Sequence, residues 1–189
     1  MRFGIRRLDA GGQNGRRYHL FHEDGRIELV ADQGSPWLPA EPDRHVRFAR
    51  ANGDIVASMV LPQRAARRSN GQQSLSYVII LDHAVYAIIN EHHGSTEAEG
   101  APSPYFIVEV EGMQWLGLKQ PGQTACFSLY DAVPADLTIY DEPLEVPLPA
   151  PVGQITRSAG EYDFTAEMPA GRLANAALIL LALTFMIER

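Results

Sequence analysis

With 189 residues, 46% apolar and 21% charged, the chain is long enough for one domain with a real core and short for two, and its composition excludes a disordered polymer. A net charge of −7 argues against a general nucleic-acid binder, and the single cysteine, Cys126, excludes an internal disulfide framework and any cysteine-built metal site. The charge is uneven: residues 1–68 carry 12 Arg against 8 acidic residues, and residues 69–189 carry 4 basic residues against 15 acidic ones.

Met1 to Leu8 is basic with no apolar run behind it, so no secretory signal is read there and a cytoplasmic location, peripheral to membrane at most, is expected. Lys119 is the only lysine, a bias that fits a GC-rich bacterial source. From Tyr18 onward the pattern is a series of short strands paired around tight turns. Tyr18–Glu23 and Arg26–Val30 flank Asp24-Gly25, and His45–Arg50 and Ile55–Leu61 flank Asn52-Gly53. These dipeptides tolerate the positive φ angles that two-residue hairpin turns require. Tyr77–Leu81 and Val85–Asn90 form a third pair around Asp82-His83-Ala84, and Tyr105–Val110 and Met113–Lys119 a fourth around Glu111-Gly112. Two weaker pairs follow: Cys126–Tyr130 with Leu137–Tyr140, and Val152–Arg157 with Tyr162–Ala166.

Period-2 alternation puts Ile55, Ala57, Met59 and Leu61 on one face, and Phe106, Val108 and Val110 on another. The third hairpin is apolar on both faces, so its outer side calls for a cover: an N-terminal segment, a connector or a second copy of the chain. Self-association through it is therefore expected.

Leu173–Ile187 reads as a helix, rich in Ala and Leu with no internal Gly or Pro. Its polar residues, Asn175 and Thr184, point to opposite sides, so no polar stripe exists and the helix must be enclosed all round. Lipid is one enclosure, which would make the protein tail-anchored. Its 15 residues reach only about 22 Å, however, against a hydrocarbon core of roughly 30 Å. Protein is the better one. Twelve strands tilted by about 40° close to a cylinder of roughly 24 Å, whose bore a helix of about 10–12 Å and one layer of side chains fill. The expected fold is all-β with one buried helix: a single domain, 1–189, in which six hairpins (about 18–166) form a closed antiparallel barrel of about twelve strands around a helix at about 172–188.

Hairpins followed by an apolar C-terminal helix resemble the tubby C-terminal-domain-like superfamily, and within it the LURP-one-related and phospholipid-scramblase-like group. The residues that carry the resemblance are Val152-Gly-Gln-Ile-Thr-Arg157, then Glu161-Tyr-Asp-Phe-Thr165, then Ala174–Leu183. It implies a binding module with no catalysis of its own, for anionic phospholipid or a protein partner. Tubby-type domains bind phosphoinositides through paired basic side chains, while the LURP-one-like members have no agreed activity. The cysteine-rich and calcium-binding stretches of scramblases have no counterpart here.

The densest basic patch is Arg64, Arg67 and Arg68, on an expected loop, to which Arg16 and Arg17 add. Planar guanidinium forks suit phosphate, so these five residues are candidates for anionic lipid or phosphate; a solvated loop is the competing explanation. Glu91-His92-His93 is a weak metal motif, because neighbouring side chains on a strand point apart. His83 beside Asp82 reads as a turn residue, Cys126 as a small buried hydrophobe, and Trp37 and Trp115 as packing. No nucleophile-elbow, phosphate-loop, dinucleotide or zinc-protease motif is present. No catalytic residue, metal, cofactor or nucleic-acid partner is therefore expected, and an enzyme would need polar residues converging in a pocket that no linear motif reveals.

Overall fold

The computed structural model describes residues 1–9, 16–33, 45–62, 66–67, 73–93, 105–119, 127–131 and 149–188. The strands are β1 (Arg2–Asp9), β2 (Arg16–His22), β3 (Ile27–Gln33), β4 (His45–Ala49), β5 (Ile55–Val60), β6 (Ala66–Arg67) and β7 (Gln73–Leu81). They continue with β8 (Ala84–His93), β9 (Tyr105–Val110), β10 (Met113–Lys119), β11 (Phe127–Tyr130), β12 (Gly153–Arg157) and β13 (Phe164–Glu167), and end in α1 (Ala176–Ile187). Every pairing is antiparallel. The order β5-β4-β3-β2-β1-β13-β12-β11-β10-β9-β8-β7 is closed by β5 on β7, from Ala57↔Leu81 to Val60↔Val78, making a barrel of twelve strands. The two-residue β6 pairs with the start of β7 beyond this seam.

The hairpins at Asp24-Gly25, Asn52-Gly53, Asp82-His83 and Glu111-Gly112 form as their turn residues predict, with φ of +79° at Gly25, +91° at Gly53 and +75° at Gly112. One pairing differs. β11 is bonded to β10 on one edge and β12 on the other, so the partner expected in Leu137–Tyr140, which lies outside the described residues, has no free edge of β11 to take. The twelfth stave is β1, held between β2 and β13. Its Gly4 and three arginines disguise a strand whose inward residues are Phe3 and Ile5.

Alternation aims Tyr18, Leu20, Phe48, Met59, Tyr77, Ile79, Ile89, Trp115 and Phe164 into the bore, where none is more than 1% exposed. α1 stands among them with Leu178 to Met186 buried continuously, and Phe185 meets Tyr18 edge-on at 5.8 Å between ring centroids. The apolar stretch thus faces protein on every side. Thr184, a polar side chain inside the bore, is satisfied by donating to the Leu180 carbonyl at 2.8 Å. No helix among the described residues is long and apolar enough to cross a membrane.

Chain direction separates the two barrel ends. The four tight turns, the β11–β12 connection and the start of α1 share one end; the other connections between strands and the end of α1 share the other. On the outer side of the third hairpin Val78, Ile80 and Ile88 are half-buried and Val85 is exposed. A smaller outward cluster, Tyr105, Leu116 and Tyr130, lies over β9 to β11.

Candidate functional site

The inward phase of three strands runs one step past the core at the end where α1 finishes, and at each step the residue is an arginine. Arg7 follows Phe3 and Ile5 on β1, Arg16 precedes Tyr18 and Leu20 on β2, and Arg157 follows Ile155 on β12. A helix C-terminus carries partial negative charge and unsatisfied carbonyls, and the last turn of α1 contains no basic residue. The barrel wall supplies the cations instead.

Glu188, the residue that ends α1, is where they meet. Arg16 Nη1 donates to its backbone carbonyl at 2.9 Å. Its carboxylate accepts Arg7 Nη1 (3.2 Å) and the Tyr18 hydroxyl (3.2 Å) at Oε2, and Arg157 Nη2 (3.3 Å) at Oε1. The Glu188 side chain is only 12% exposed, whereas those of Arg7 and Arg157 are 47% and 54% exposed. Arg157 also lies over the Phe164 ring, and the Asp163 carboxylate accepts the Arg7 backbone N–H. The Arg157 guanidinium is thus held by a second contact, and the backbone from which the Arg7 side chain extends is fixed.

Burial first, and then the Glu188 carboxylate, push the Tyr18 hydroxyl up to about 12. The sign of the resulting pH dependence follows. Above the ordinary tyrosine range the unfolded chain loses this proton while the folded chain keeps it, so the folded state binds more protons and stability falls as pH rises. Denaturation midpoints between pH 9 and pH 12 are expected to decline by an amount worth about 2–3 kcal/mol from this group, and Tyr18→Phe is expected to flatten that decline.

On the outside of the same staves Arg6 lies within 5.5 Å of the Phe21 ring and 5.7 Å of the Tyr162 ring, and bonds Glu161. Arg17 pairs with Asp32 at 2.7 Å. Burial first, and then the neighbouring Arg17 and Arg6, hold the His19 imidazole below its ordinary value.

The five arginines read from the sequence are not brought together among the described residues. Arg16 and Arg17 are neighbours on β2 and turn to opposite faces, Arg16 to the bore and Arg17 to the outside. Arg67 lies on β6, whose pairing with β7 brings its backbone to the end where α1 finishes. Arg64 and Arg68 lie outside the described residues, as do Cys126 and Trp37. Glu91 and His92 separate as alternation requires: Glu91 accepts the Tyr77 hydroxyl at 2.6 Å, and His92 stacks on Tyr105 at 4.7 Å. Among the described residues no three His, Cys, Asp or Glu side chains stand close enough to hold a metal ion. Arg7, Tyr18, Arg157 and Glu188 were missed because they are far apart in sequence, up to 181 residues for Arg7 and Glu188. Their only local signal is an arginine in inward phase at the end of a strand.

Two open grooves mark the surface of the opposite end. One, of about 470 Å³, runs past Tyr86, Ile88, Glu109, Glu111 and Met113; the other, of about 480 Å³, lies between Met1, Val152, Gly153 and Met168. Fold and site together define an antiparallel barrel whose bore is occupied by its own C-terminal helix and whose densest convergence of charged side chains is at one rim. No family model, curated protein or solved structure matches the chain.

Proposed function

We propose that this chain is a tubby-like, LURP-one-like binding module, without catalysis of its own, that meets anionic phospholipid headgroups with its arginine-bearing rim. The observation that carries the reading is the convergence of Arg7, Arg16 and Arg157 at one end of the barrel, two of them half-exposed. A bore filled by Leu178 to Met186 leaves the outer surface and the rims as the places to meet a ligand. The barrel closed around its C-terminal helix supports the family resemblance.

Co-sedimentation tests this. The protein is expected to pellet with phosphatidylserine vesicles and not with phosphatidylcholine vesicles, and to release as salt rises. Changing Arg7 and Arg157 together to Ala is expected to reduce pelleting at least severalfold, at about 1 kcal/mol per basic residue near an anionic surface. Equal recovery with both vesicle types would overturn the proposal.

A further inference from the structure

We propose that Arg7 and Arg157, backed by Arg16 and Tyr18, form a phosphoryl-anion site that the chain keeps occupied with its own Glu188 carboxylate. The inference rests on the basic rim invoked above, and adds what the rim takes and what competes for it.

Two guanidinium groups, those of Arg7 and Arg157, share the single Glu188 carboxylate, and Arg16 takes the backbone carbonyl of the same residue, so cationic donors outnumber the carboxylate they meet. Arg7 and Arg157 each reach Glu188 through one N–H, at 3.2 and 3.3 Å. Charge-assisted bonds of this kind are usually shorter, about 2.7–2.9 Å, and arginine forks bind oxyanions best through two parallel N–H groups. One carboxylate bridging two arginines cannot give both of them that arrangement. A phosphoryl group has a third oxygen and a second charge, and can offer each fork two acceptors.

Access favours the same ligand. The carboxylate lies beneath, nearly buried, while both guanidinium groups are about half-exposed, so an anion reaches their unused donors without opening the barrel. The Phe164 ring holds the Arg157 guanidinium before any ligand arrives, and the Asp163 carboxylate fixes the backbone from which Arg7 extends. Glu188 sits where the charge of that anion would be felt most strongly. It is the resident competitor. A phosphomonoester headgroup and free inorganic phosphate present this same chemistry, and the experiment separates them.

Thermal melting of the full chain in inorganic phosphate, against sodium chloride at matched ionic strength, reads the site directly. Phosphate is expected to raise the midpoint of the wild type, and Glu188→Gln is expected to tighten phosphate about tenfold by removing a unit charge a few ångströms from the anion. Arg7→Ala with Arg157→Ala is expected to abolish the response in both backgrounds. Should Glu188→Gln not fold, Arg157→Gln in the otherwise wild-type chain reads the same site, and there the phosphate response must fall while melting stays cooperative. A Glu188→Gln protein that binds phosphate no more tightly than wild type, or a response that survives loss of the arginines, overturns the inference. Vesicles containing phosphatidic acid, whose headgroup is a phosphomonoester, complete the test. Vesicle binding indifferent to Arg7, Arg157 and Glu188 removes this site and leaves the lipid reading to other residues. A phosphate response without vesicle binding keeps the site and removes the lipid reading.

Discussion

Leu181→Asp is expected to yield a chain with no cooperative unfolding transition at neutral pH. Leu181 lies at the middle of α1, fully buried, with the helix buried from Leu178 to Met186 around it and the barrel wall outside that. The substitution gives up the burial of a leucine, about 1.5–3 kcal/mol, and places an ionised carboxylate in the bore at an effective cost of several kcal/mol more. A domain of this size has in total about 5–15 kcal/mol of stability, so the two losses together consume most or all of it. Leu181→Ala separates the parts. It removes volume without charge and is expected to cost about 2–5 kcal/mol, leaving a folded protein with a lower urea midpoint. Ala174→Asp is the control for charge alone, because Ala174 is exposed just ahead of the helix, where a negative charge suits the dipole. Far-UV circular dichroism with urea titration of the three proteins checks the order. A folded Leu181→Asp protein close to wild type in stability would mean that the helix is not the core of the barrel.

The same helix explains why so much of the architecture was legible. An apolar segment with no polar stripe and too few residues for a bilayer needs a tube around it, and Asp-Gly, Asn-Gly and Glu-Gly turns mark where the staves of that tube reverse. Both signals are local. β1 was not legible because Arg-Phe-Gly-Ile-Arg-Arg offers only two apolar residues in phase before the phase is handed to arginine. The partner of β11 was not legible because that strand bonds across to β12, more than twenty residues on, and alternation carries no information about which distant strand is adjacent. The rim cluster combines both difficulties. Arg16 and Arg17 could be assigned to opposite faces from their adjacency alone. That Arg7, Arg157 and Glu188 share one point in space follows only from β13 pairing with β1 and from the length of α1, which sets where Glu188 emerges.

Gly117→Val is expected to be nearly as damaging as the buried charge, through sterics alone. Gly117 lies in the inward phase of β10, opposite Phe106 on β9 and Leu129 on β11. A Cβ there would stand 2.4 Å from Cζ and 3.0 Å from Cε1 of Phe127, and 3.3 Å from Cβ of Phe106. The two rings already pack edge-on at 5.3 Å between centroids, and both residues are buried, so neither has space to retreat. Overpacking by one or two methylenes costs about 1–3 kcal/mol where a core can shift; the branched side chain of valine exceeds that, and a loss of about 3 kcal/mol or more is expected. If the ring of Phe127 is the obstacle, shrinking it must help. Gly117→Ala with Phe127→Leu is expected to be more stable than the sum of the single changes allows, with a coupling of about 1 kcal/mol or more in a double-mutant cycle. Gly53→Ala supplies the contrast, since φ there is +91° and no atom lies within 4 Å of the added carbon. Its cost is conformational, about 1–2 kcal/mol, and no partner substitution can relieve it. Additive losses at Gly117 and Phe127 would show that the glycine serves its backbone, as Gly53 does, and that the ring contact is incidental.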